Sequence, residues 1–185
     1  MKRFEGMSAI GIAAIIALPL LHFSTQAKAG DHAYVGVQKC KMCHNSKAKG
    51  AQYTQWNKTT HAQAYKTLAS EEAKKVAAEK GIADPQKASE CLKCHVTGHD
   101  APADKLIQKY SIEDGVGCES CHGPGSDYQK KKVMKVRDQA VTAGLIIPNE
   151  KTCIGCHNSE SPFFEGFDYA TYFEKIAHPN PNKAK

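Results

Sequence analysis

Apolar positions in this chain fall in short clusters separated by turn residues, and the elements they predict are short helices. One longer apolar stretch, Ser8 to Leu21, follows Lys2 and Arg3 and precedes the small-residue run Ala27-Lys28-Ala29. That order reads as a secretory signal, residues 1–29, cleaved before Gly30. The stretch is short for a bilayer span and contains Pro19, so an uncleaved anchor fits less well. Gly30 to Gln38 reads as extended, and Ser46 to Leu68 as helix in two pieces with Thr60 capping before His61. Ser70 caps a helix through Lys80 that Gly81 ends, and Asp84-Pro85 opens another that delivers Cys91 and His95. Lys135 to Ala143 forms a helix closed by Gly144, and Asp168 to Ala177 a last amphipathic one that Pro179 and Pro181 stop, leaving a mobile tail. Leu145-Ile146-Ile147 is the one strand-like run. The fold class is mainly α with little β-structure, in one domain over 30–185.

The chemistry lies in the cysteines. All 8 belong to four Cys-x-x-Cys-His pentapeptides: Cys40 to His44, Cys91 to His95, Cys118 to His122 and Cys153 to His157. In each, two thiols add across the vinyl groups of one porphyrin, and the adjacent histidine is placed under the iron. A zinc module or a disulfide framework has no need of histidine at the same offset every time. Four covalently attached haem c groups are therefore expected, bound by Cys40, Cys43, Cys91, Cys94, Cys118, Cys121, Cys153 and Cys156, with His44, His95, His122 and His157 on the irons. The mature chain has about 39 residues for each motif, too few to enclose four porphyrins in an ordinary core. The haems must be the core. A single tryptophan, Trp56, and a modest aliphatic content agree with this.

The formal charge of +6 compensates haem propionates, so a nucleic-acid partner has little behind it. The run Lys130-Lys131-Lys132 reads as a solvated face. Successive motifs begin 51, 27 and 35 residues apart, and the shortest gap predicts that the second and third haems are close neighbours.

An iron with two protein ligands is normally confined to electron transfer, whereas one with a single ligand can bind small molecules. Outside the motifs and the signal, the candidate second ligands are His61, His178, His99 and His32. His61 is favoured by its small neighbours Thr59, Thr60 and Ala62, which let a porphyrin approach the backbone. His178 closes the last helix. His99 lies too near His95 to reach the far side of the same haem, and His32 sits close to the new N-terminus. Met42 and Met134 are weaker alternatives.

Gly36 through His44, Gln55-Trp56 with Thr60-His61-Ala62, Cys94 through Gly98, the block Gly115 to Gly125, and Phe167-Asp168 through His178 together resemble the tetrahaem cytochrome c-554 family, electron acceptors of hydroxylamine oxidoreductase and their relatives. The resemblance implies closely packed haems in stacked and angled pairs, and distal ligation by His61 and His178. The family's third distal histidine would fall near Lys132, so His99, His32, a neighbouring subunit or nothing completes that haem. It also implies a periplasmic or extracellular electron carrier, not an enzyme, exchanging electrons with a donor and an acceptor protein and meeting the membrane only through its signal. Two alternatives stay open: a homo-oligomeric conducting filament, and a reductase of nitric-oxide type using a five-coordinate haem.

Overall fold

The computed structural model describes Met1 and residues 32–107 and 109–178; the expected signal beyond Met1 and the expected tail after His178 lie outside them. Among the described residues there are ten α-helices and no strand. They are short because the sequence interrupts them. Helix α1 (Val37–His44) starts at Gly36, whose φ of 83° suits glycine. A 3-10 turn, Lys47–Lys49, and the left-handed residues Gly50 and Ala51 fold the chain back into α2 (Gln52–Trp56), which packs on α1. A second 3-10 turn, Thr60–Gln63, carries His61 into α3 (Ala64–Thr67). Helix α4 (Glu71–Glu79) is capped as expected, with the Ser70 hydroxyl accepting from the Ala73 N–H at 3.1 Å.

The remaining helices are α5 (Ser89–His95), α6 (Cys118–His122), α7 (Lys131–Met134), α8 (Arg137–Thr142), α9 (Glu150–Ile154) and α10 (Tyr169–Ile176). Three boundaries differ from expectation. Thr60 lies inside its 3-10 turn, whose N-cap is Thr59 with no side-chain cap bond. Asp84-Pro85 makes a turn, in which the Asp84 carboxylate accepts from Gln86 N–H at 2.9 Å. Ala88 is extended (φ −78°, ψ 126°), so α5 begins only at Ser89. The helix expected from Lys135 is α8, which begins only at Arg137 because Val136 is extended (φ −117°, ψ 106°). Leu145 to Ile147 forms no strand; Ile146 N–H instead donates to His122 C=O at 2.9 Å. The nearest approach to sheet is an isolated bridge between Tyr34 and Leu106.

The buried apolar set is small and its members are mostly small: Ala33, Val35, Val37, Ala62, Leu68, Ala77, Val96, Tyr128 and Ala140. Among the described residues, Val35 alone is a fully enclosed large side chain. Meanwhile Ile146, Ile147, Ile154, Phe163, Phe164 and Tyr172 are exposed. A chain of this length normally encloses far more of its apolar side chains.

Candidate multihaem centre

Each pentapeptide rides on a helix. Positions i, i+3 and i+4 of a helix share one face, so both thiols and the histidine of a motif project to the same side. Motifs 1, 2 and 3 end α1, α5 and α6, and motif 4 starts on α9 and finishes in the turn after it. All eight cysteines are free thiols.

Thiols of different motifs influence one another. Cys40 and burial push the Cys118 thiol strongly up. Burial pushes Cys121 up, and Cys153 adds to it. Burial, with Cys94 and Cys121 adding to it, pushes Cys156 up to about 12. Thr97, two residues after motif 2, meets Ser120 of motif 3 hydroxyl to hydroxyl at 2.6 Å.

The imidazoles make two cross-motif pairs. His61 and His157 have ring centroids 6.0 Å apart with planes at 80°. His122 and His178 are also 6.0 Å apart, at 62°. Two imidazoles bound to one metal from opposite sides, each with a bond of about 2 Å, have ring centres about 6 Å apart. Burial lowers the basicity of His61, with His157 adding to the effect. Burial also lowers His122, opposed by its bond to Ile146 and reinforced by His178 and His44, and it lowers His157. Neutral imidazole is the form that ligates iron.

The other ring nitrogens are held in place. Nδ1 of His95 lies 2.8 Å from Ala64 C=O, Nδ1 of His122 lies 3.1 Å from Ile146 C=O, and Nδ1 of His44 lies 3.3 Å from the Gln52 side-chain oxygen. Such partners fix the ring plane and leave Nε2 for a metal. His157 stacks on Phe167 at 4.8 Å and 19°, and Phe167 on Tyr172 at 5.1 Å and 22°.

The residues fit covalently bound haem on three counts. The thiols are unbridged, the Nε2 atoms are left uncommitted by these bonds, and the exposed apolar side chains gather at motifs 3 and 4. A cavity of about 190 Å³ opens there beside Cys156 and His157, lined by Phe163, Phe164, Phe167 and Tyr172. Among the described residues, no three His, Cys, Asp or Glu side chains converge as they do around zinc.

His32 and His99 are placed differently, and neither pairs with a motif histidine among the described residues. Nδ1 of His32 bonds the Asp127 carboxylate at 2.7 Å, which holds Asp127 below the usual carboxylate range. His99 lies 3.7 Å from Asp100. Met42 is 76% exposed.

Glu119, inside motif 3, is a functional-site residue that motif reading passes over. It is 3% exposed and accepts from Val35 N–H at 2.9 Å, Gly36 N–H at 2.8 Å and Gly125 N–H at 2.6 Å. Burial pushes its carboxyl up, and those N–H groups pull it back. It ties the N-terminal segment to the third motif, close to the Cys40–Cys118 contact. Beside it, a cavity of about 10 Å³ borders Cys118 and Asp114, whose buried Oδ2 has no hydrogen-bond partner. That is room for one water.

Comparison with known proteins identifies the family. Residues 39–123 match a family described as "Cytochrome c554 and c-prime", a span that includes motifs 1 to 3. The chain is 31% identical over 167 residues to "Cytochrome c-554" of Nitrosomonas europaea, covering 82% of this chain and 68% of that protein. No solved structure matches significantly.

Proposed function

The chain belongs to the cytochrome c-554 family, c-type cytochromes with covalently bound haem c that act in electron transfer, and from that premise we propose that it is an exported tetrahaem carrier. Residues 1–29 direct export and are removed, and residues 30–185 form one haem-binding domain in the periplasm or outside the cell. Cys40 and Cys43, Cys91 and Cys94, Cys118 and Cys121, and Cys153 and Cys156 each anchor one haem. His44, His95, His122 and His157 are the proximal ligands. His61 completes the site of His157, and His178 that of His122.

Bound haem supplies a one-electron ferric/ferrous couple. The chain supplies everything else. Thioethers hold each macrocycle in place, Ala64, Ile146 and Gln52 orient the proximal rings, and Phe167 braces His157. Paired histidines keep coordination unchanged between redox states, so little reorganisation accompanies transfer. Electrons enter from a donor protein and leave to an acceptor protein. The carrier reading rests above all on the two imidazole pairs at 6.0 Å, each joining a motif histidine to a histidine far away in sequence.

Intact-mass spectrometry of the exported protein tests it. Four haem additions to the chain beginning at Gly30 are expected, together with low-spin ferric resonances that become partly high-spin in His61→Ala and in His178→Ala. Fewer than four additions, bound zinc, or spectra unchanged by both substitutions would refute the reading.

A further inference from the structure

Charge is distributed unevenly along this molecule. From His32 to Ser70 there are six lysines and no aspartate or glutamate. Five of the six, Lys39, Lys41, Lys47, Lys49 and Lys58, belong to the hairpin that α1 and α2 form around motif 1 and to the residues just after it. Across the hairpin, Lys41 Nζ lies 4.8 Å from the centroid of the Tyr53 ring on α2. None of the five makes an ion pair among the described residues, whereas Lys74, Lys87, Lys93 and Lys130 each meet a carboxylate.

The same hairpin carries the most accessible of the four motifs. Cys43 is the one exposed cysteine, and Met42 beside it is 76% exposed. An apolar centre with a polar, charged rim is the anatomy of a protein–protein contact. Unpaired lysines in such a rim steer encounter with a partner of opposite charge.

We propose that the α1–α2 hairpin is the docking face for an acidic redox protein, which exchanges electrons with this chain at site 1. This rests on the carrier reading above and adds the entry point and the partner's charge. In the forward step the reduced partner loses one electron and the ferric iron at site 1 gains it; no bond is made or broken. The lysines act by positioning the partner over Met42 and Cys43.

The probe is a plant-type [2Fe–2S] ferredoxin, a small acidic protein of low potential, used with the full haem-loaded protein. Binding of oxidised ferredoxin is followed by calorimetry, reduction by reduced ferredoxin in a stopped-flow instrument, and contact sites by carbodiimide cross-linking. Lys47→Glu with Lys49→Glu lowers affinity and second-order rate about tenfold or more at low salt and flattens their salt dependence. Lys131→Glu with Lys132→Glu changes net charge equally and shifts both by less than about twofold. Cross-links fall on the five hairpin lysines. Equal effects of the two double variants, or cross-links concentrated elsewhere, overturn the proposal. So does retention of ferredoxin kinetics alongside lysine-dependent binding to vesicles of anionic phospholipid, which would make the face a membrane contact. Dithionite reduces every variant alike; a protein it cannot reduce would fail the carrier reading itself.

Discussion

Glu119 occupies a variable position of its pentapeptide, yet its carboxylate takes three backbone N–H groups, two from the remote Val35–Gly36 segment and one from nearby Gly125. Glu119→Gln leaves one of those buried donors facing an amide N–H. A loss of about 1–3 kcal/mol is expected, read as a lower midpoint in denaturant unfolding of the haem-loaded protein. Gly36 is under tighter constraint. Its φ is 83°, and a Cβ there would stand 2.1 Å from the backbone oxygen of Lys109. Gly36→Ala must displace that backbone, and an exported yield far below that of Glu119→Gln is the expected outcome. Full yield with an unchanged spectrum would show that the segment can move aside.

Among the elements, α10 bears most directly on the site. It has eight residues, carries Tyr172, and leads into His178. A helix this short is marginal alone, so its start matters. The Asp168 carboxylate accepts from the Thr171 N–H at 2.8 Å, and the Thr171 hydroxyl and N–H hold Asp168 below the usual carboxylate range. A depressed folded-state value means that the capping stabilisation is complete above the unfolded value of about 3.9 and is lost as pH falls through the folded one. Asp168→Ala is therefore expected to loosen α10, to raise the high-spin fraction at the site of His122, and to remove part of the acid dependence of that fraction. Spectra of the variant and parent followed together from pH 7 to pH 3 check this; identical curves would show that the cap is irrelevant to the ligand.

On the scale of the whole molecule, the nine buried apolar residues among those described cannot by themselves hold a chain of this size. Ordering each residue costs about 1–2 kcal/mol in backbone entropy, and Val35, Leu68 and their small companions bury too little area to offset it. Apolar contact with porphyrin is the missing stabilisation. Chain made in a host unable to attach haem is therefore expected to show no cooperative thermal transition and little helical circular dichroism. A cooperative transition in such material would mean that the polypeptide folds without its cofactors.

Legible in advance were the features carried by neighbouring residues. Thiol pairs with an adjoining histidine pointed to the c-type cytochrome family that the comparisons show, and Ser70, Gly81 and Asp168 announced helix ends through local hydrogen bonding and backbone freedom. The mainly helical class followed from the same local rules. Where those rules compete, as at Asp84-Pro85, a turn satisfied the Asp84 carboxylate and extended Ala88 postponed the helix. Only the tertiary structure decided which histidines face each other, which thiols adjoin, and that Glu119 rather than a longer apolar element fastens the N-terminal segment. His61 meets His157 and His122 meets His178 across long stretches of chain, and nothing local at either end encodes such a meeting. Pairings of that kind come from packing short helices around shared volume, and the energy that selects them belongs to the assembled contacts.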